Sequence, residues 1–147
     1  MRILVLVLSC AREPWRTIEL AGQRATWAGA DIPAVPVRYY YGLHRGPVFW
    51  GSRILKYLLA NDSFDYLLRT NTTSYVERDR LRSSVSGLPR SGFYGGIVEE
   101  MDGVPYVSGT GILLSRDAAK TAATDPLWEF DLVDDVALGR SMRRAGI

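Results

Sequence analysis

Cysteine and histidine are almost missing from this chain, and each absence removes a class of chemistry. Cys10 is the only cysteine and His44 the only histidine in 147 residues. One thiol makes no internal disulfide and no thiolate cluster, which excludes disulfide-stapled secreted scaffolds and cysteine-based metal sites. Such usage is expected of a reducing, cytoplasmic compartment. An excess of one charge is lacking as well, because 18 Lys and Arg face 16 Asp and Glu along the chain. With no basic stripe to follow a phosphate backbone, nucleic acid is not an expected partner. Long apolar runs are absent too. Ile3 to Leu8 leads into Ser9-Cys10 in the manner of a lipoprotein leader, but the run is too short for a signal core and far below the ~20 residues of a membrane span.

What is present is an ordinary folding composition, 47% hydrophobic and 23% charged, in a length that suits a single domain over residues 1–147. The β-branched Ile3, Val5 and Val7 predict a buried first strand. Ile18, Leu20, Ala21, Ala25 and Ala28 recur at helical spacing over Thr17 to Ala28, with Trp27 as a core anchor and Gly29 as the stop. A strand over Ala34 to Tyr39 and a helix with Trp50, Ile54, Tyr57 and Leu58 on one face repeat the unit. Phe64 to Arg69 reads as a third strand, Thr70 to Ser74 as a polar loop, and Glu77 to Val85 as a helix. This alternation predicts an α/β fold with a mixed, mainly parallel sheet flanked by helices. Beyond residue 90, Phe93 to Val98 and Val104 to Val107 flank the turn-like Met101-Asp102-Gly103 as a hairpin or meander. Ala118 to Ala123 behind Ser115 and Asp117, and Asp131 to Arg144 with acids first and bases last, read as helices oriented with their dipoles.

In an open α/β sheet, ligands bind beyond the carboxyl ends of the strands, so Ser9 to Glu13, Thr70 to Ser74 and Gly109 to Gly111 are expected on one rim. Side-chain types alone lead to a ligand-binding α/β domain and leave several roles open. Gly95-Gly96 and Gly109-Thr110-Gly111 suit either strand bends or close approach to a ligand. Asp134 and Asp135 suit the first turn of a helix as well as proton transfer. Arg24 is either a solvated helix charge or, with Arg12 and Arg69, a guanidinium facing phosphate oxygens. His44, between aromatic and glycine-rich stretches, is either a surface residue or a border of an acceptor site.

Five segments in order resemble the β-1,3-galactosyltransferase and Fringe family. Phe64-Asp65-Tyr66-Leu67-Leu68-Arg69-Thr70-Asn71-Thr72-Thr73-Ser74-Tyr75-Val76 is similar to the strand and loop that carry its Asp-x-Asp motif. Gln23-Arg24-Ala25-Thr26-Trp27 resembles its early Arg-x-Thr-Trp helix, and Tyr94-Gly95-Gly96 its Tyr-x-Gly-Gly strand. Tyr106 to Arg116 resembles its Tyr-x-Ser-Gly-Gly-Gly-x-x-Leu-Ser segment, and Asp134-Asp135-Val136-Ala137-Leu138-Gly139 its Glu/Asp-Asp-Val-x-x-Gly motif. The resemblance implies a GT-A-type, Rossmann-like fold and an inverting transfer of a sugar from a UDP-sugar donor to a carbohydrate or glycan acceptor, usually with Mn²⁺. It assigns Asp135 as general base, with Asp134 as the reserve. Ser9, Cys10, Arg12, Arg24, Arg69, Asn71, Thr72 and Thr73 fall on the donor side, and Gly95, Gly96, Ser108, Gly109 and Thr110 on the sugar and acceptor side.

The departure from the family lies where its metal ligands belong. Asn71-Thr72-Thr73 replaces the acidic motif, and Thr110 replaces a family glycine. Neutral amide and hydroxyl oxygens hydrogen-bond a sugar or phosphate, but without charge they hold a dication weakly. No metal ligand is therefore expected in this chain. A metal-independent transferase that uses Arg or Lys against the leaving phosphate, an inactive nucleotide-sugar or carbohydrate binding module, and an engineered or misaligned loop are the three readings of this exchange. A shorter piece of a larger transferase is a further one. Titration of the metal-free protein with Mn²⁺ is expected to show no uptake at low micromolar concentration. Uptake of one ion per chain, abolished by Asn71→Ala, is the opposite result.

Overall fold

The apolar run near the N-terminus becomes the middle of the fold. In the computed structural model, which describes residues 1–9, 13, 15–30, 32–40, 51–128 and 133–147, strand β1 (Ile3–Leu8) is buried at all six positions. It is flanked by β2 (Val37–Tyr40) and β3 (Tyr66–Asn71), both parallel to it. A hairpin of β4 (Tyr94–Met101) and β5 (Val104–Ser115) completes the sheet, with β5 antiparallel to β3 and β4 at the edge. The strand order is β2-β1-β3-β5-β4. Two of the four pairings are parallel, so the sheet is evenly mixed rather than mainly parallel.

Alternation along the buried strands sorts side chains onto two faces. Leu4, Leu6, Leu8, Leu67, Ile112 and Leu114 face α2 (Gly51–Asn61), α4 (Arg116–Thr124) and α5 (Asp134–Arg144). Ile3, Val5, Val7, Tyr66 and Leu68 face Trp27, Val35, Val76 and Val85, the last from α3 (Arg78–Val85). Trp27 is a core anchor, as its size predicts. Glu77 caps α3, its carboxylate accepting from the backbone N–H groups of Asp79 (3.2 Å) and Arg80 (2.9 Å).

Several boundaries differ from the sequence expectation for identifiable reasons. The first helix divides into a π-helical stretch (Trp15–Glu19) and a short α1 (Leu20–Ala25). Its buried face is Leu20, Gln23 and, just beyond, Trp27, whereas Ile18, Ala21 and Ala25 are exposed. Apolar spacing misses this face because one of its members is polar. Along α2 the buried apolar residues are Leu55 and Leu58, with Ser52 buried beside them, while Tyr57 is 60% exposed; Trp50 lies outside the described residues. Thr70 and Asn71 continue β3 rather than opening a loop. Gly109 to Gly111 lies within β5. Among the described residues no helix is long and apolar enough to cross a membrane. Leu67, fully buried in β3 at the centre of the sheet, gives the core its test: Leu67→Ala is expected to cost about 2–5 kcal/mol of unfolding free energy in urea titration.

Candidate functional site

Register alone brings the expected segments to one end of the sheet. Leu8 pairs with Asn71 and Thr70 pairs with Gly111, so Ser9, the turn after β3 and the start of the Gly109–Gly111 stretch share a rim. Ser9 is fully buried there and donates its N–H to the Tyr40 carbonyl at 2.7 Å. Cys10, Arg12 and His44 lie outside the described residues. Arg24 is exposed on α1, its guanidinium 5.1 Å above the Tyr39 ring on the β2 side of the same rim.

The turn after β3 is held from behind by the helix. The Gln23 side-chain nitrogen lies 3.0, 2.6 and 3.1 Å from the carbonyl oxygens of Asn71, Thr72 and Ser74. The Thr72 hydroxyl donates to the Glu19 carboxylate. Asn71 is half-buried, Thr72 buried and Thr73 exposed. On the other side, the Thr70 and Ser74 hydroxyls both donate to the Thr110 carbonyl, at 2.8 and 3.0 Å. Neither Glu19 nor Gln23 was singled out from sequence for this role. The available signal was a pair of polar residues four apart, hence one helical turn apart, flanking the buried Leu20.

Thr110 belongs to a bulge. Between Gly96↔Ile112 and Val98↔Val107 the hairpin places the four residues Ser108 to Gly111 opposite the single Ile97. This bulge is gripped by the start of α5. The Arg69 guanidinium, buried on the face opposite Gln23, contacts both Asp134 carboxylate oxygens from Nη2, at 3.0 and 2.8 Å. Its Nη1 donates to the Gly109 carbonyl. The Gly109 N–H donates to Asp135 Oδ2 at 2.9 Å, and Asp135 Oδ1 accepts from the Val136 N–H. A Cβ at Gly109 would stand 2.9 Å from Arg69 Cζ and 3.0 Å from Asp135 Oδ2. No larger residue fits without moving that arginine.

The two adjacent acids therefore have different surroundings. Asp134 is buried, and loss of water raises its pKa from 3.8 to about 6, against the pull of Arg69 and with a further push from Asp135. Asp135 is half-exposed and turned toward the bulge. Beside it opens a cavity of about 480 Å³ lined by Tyr94, Gly95, Gly96, Tyr106, Gly139 and Arg143, among others. Tyr94 accepts the Val107 N–H at 2.8 Å, and burial pushes its pKa up to about 12. Tyr106 donates to Glu99 at 3.0 Å. The turn after β3 meets the bulge through Thr70 and Ser74, and Arg69 is committed to the bulge. Neither tyrosine was assigned to a site from sequence, although both stand in segments that carry the family resemblance.

Among the described residues, no group of three or more His, Cys, Asp and Glu side chains gathers to hold a metal ion. Comparison with protein-family models and with curated proteins finds no match for this chain.

The Asp134 carboxyl makes stability depend on pH in a defined direction. Folded Asp134 keeps its proton up to about pH 6 and the unfolded carboxyl releases it near 3.8, so the folded state binds more protons between these values and stability falls as pH rises through them. The stability of wild type minus that of Asp134→Asn, measured by urea denaturation, should decline from pH 4 to pH 6 and then level off.

Proposed function

We propose that this domain transfers a sugar from a UDP-sugar donor to an acceptor hydroxyl with inversion, on a GT-A-like fold and without a metal. The observation that carries the reading is the placement of Asp135. It is the half-exposed carboxylate at the rim, held by the Gly109 N–H between the donor-side turn and an aromatic cavity. Its neighbour Asp134 is withdrawn into the ion pair with Arg69. A general base must reach the proton that it takes, which favours Asp135 over Asp134.

In this reading the acceptor sugar lies in the cavity against Tyr94 and Tyr106, whose rings offer apolar faces to the C–H side of a pyranose. Its hydroxyl gives a proton to Asp135 as the oxygen bonds to the anomeric carbon. The bond from that carbon to the phosphate oxygen breaks, and UDP leaves with the electron pair. Asn71, Thr73 and Ser74 offer neutral oxygens and an amide to the donor. The residues present do not fit Mn²⁺, because Glu19, the carboxylate nearest Thr72, already accepts the Thr72 hydroxyl and the turn itself has no acid. Charge developing on the diphosphate is met instead by Arg24, exposed on the same rim. A non-catalytic nucleotide-sugar or carbohydrate binding module is the second reading, favoured by the same acid-free turn.

Calorimetric titration with a panel of UDP-sugars, with and without Mn²⁺, identifies the ligand class. Asp135→Asn keeps size and most hydrogen bonding but removes basicity, so turnover should fall by roughly a hundredfold or more while donor affinity is retained. Loss of activity in Asp134→Asn alone would move the base to its neighbour. An inactive wild type that still binds UDP-sugar would support the binding module.

A further inference from the structure

The end of the sheet opposite the proposed site holds a second cavity, of about 690 Å³. It lies where β3 begins and β5 ends, since Tyr66 pairs with Ser115 there. The five-residue advance along β3 to Asn71 separates it from the rim by roughly 17 Å. Its floor is aliphatic, made by Leu59 of α2 and the buried Ala123 of α4. Four cationic side chains surround that floor: Lys56, Arg90, Arg116 and Lys120.

These cations differ in how far the fold uses them. Arg116 is structural, because Nη1 and Nη2 donate to the carbonyls of Asp62 (3.1 Å) and Leu59 (2.9 Å) at the end of α2, and the guanidinium sits 4.7 Å above the Phe64 ring. Lys56, Arg90 and Lys120 are exposed and make no ion pair among the described residues. The one carboxylate in the lining, Asp117, is occupied: Oδ2 accepts the Gly92 N–H at 2.8 Å and Oδ1 the Ser115 hydroxyl at 2.6 Å. Three cations without an ion-pair partner among the described residues, on three separate segments, therefore line one recess with an apolar base and outnumber its single carboxylate. Solvated surface charge alone does not require an aliphatic floor beneath it. The volume falls in the range of small-molecule sites, which are apolar in the main with a few converging polar groups.

We propose that this cavity binds a soluble organic phosphate monoester, its phosphate held by Lys56, Arg90 and Lys120 and its hydrocarbon portion resting on Leu59 and Ala123. The assignment is independent of the transferase reading, because no residue is shared between the two sites. A dianionic phosphate takes charge-assisted hydrogen bonds from several ammonium and guanidinium groups at once. The floor lies in the recess between α2 and α4, which suits a single small molecule rather than a bilayer surface.

The test is calorimetric titration of the whole chain with octyl phosphate below its micelle concentration, with inorganic phosphate and octyl glucoside as the paired probes. One octyl phosphate per chain should bind, more weakly as salt is raised. Inorganic phosphate should bind about tenfold more weakly or worse because it lacks the apolar part. Lys56→Gln/Lys120→Gln should weaken octyl phosphate binding by about tenfold or more, both residues being exposed and outside any core contact. Arg90→Gln provides a third, separate segment with the same expected direction. Octyl phosphate binding should persist in Asp135→Asn, which separates failure here from failure of the transferase reading. Equal affinity in the double variant and in Arg90→Gln, octyl glucoside binding as tightly as octyl phosphate, or binding only to phosphatidic acid vesicles would each overturn the proposal.

Discussion

The ion pair between Arg69 and Asp134 is the constraint on which the rest of the rim depends. Taking each charge out of water costs several kcal/mol, and the attraction between them offsets this only with good geometry and few unmet hydrogen bonds. The pair meets the first condition with both carboxylate oxygens within 3.0 Å of one guanidinium nitrogen. It goes some way to the second by giving the other terminal nitrogen to Gly109. Breaking one partner leaves the other buried and uncompensated, so the start of α5 cannot leave β3 cheaply. A buried pair of this kind is a poor source of net stability and a strong fixative of position.

Position is what the site needs. Arg69 faces the α5 side of the sheet while Thr70, the next residue, faces the α1 side. Through these two neighbours β3 holds the bulge from both faces: Arg69 takes the Gly109 carbonyl and Thr70 the Thr110 carbonyl. Gln23 and Glu19 then hold the turn after β3 to the helix behind it. The carbonyls of Asn71, Thr72 and Ser74, which a polar turn would otherwise present to water, share the two N–H donors of one buried amide. An acid-free turn is thus kept in place by groups from outside it.

Much of this was legible in the sequence where burial is continuous, and little where polar groups pack inside. The run Ile3 to Leu8, the acids and bases at the two ends of the last helix and the turn at Asp102-Gly103 read directly, because each reflects a local rule of period, dipole or positive φ. The first helix did not, since its buried face includes Gln23, and apolar spacing took exposed Ile18, Ala21 and Ala25 for the core side. Arg69 was read as the end of a buried strand and as a possible phosphate ligand. Its partner Asp134 lies 65 residues away, and no local pattern announces a contact at that separation. Glycine at 109 and 111 suggested a loop, whereas the fold uses that stretch as the bulged part of a strand.

The bulge also decides where a side chain fits along this part of β4 and β5. Gly96 has φ near 153° and its missing side chain leaves room for the Gly111 carbonyl and the Val107 methyl, while Gly109 leaves room for Arg69 and Asp135 from the other side. Thr110, by contrast, projects away from these contacts and is exposed, with its hydroxyl 3.5 Å from that of Ser108. A side chain is therefore admissible at 110 and costly at 96 and 109. Gly111, like Thr110, stands where the backbone accepts a Cβ, with nothing within 4 Å of one built there. At 96 and 109, by contrast, a Cβ would displace either the paired strand or the arginine that fixes Asp134. The constraint at Gly109 is thus the same one that sets the two acids apart, since the arginine that needs its space withdraws Asp134 and leaves Asp135 to the rim.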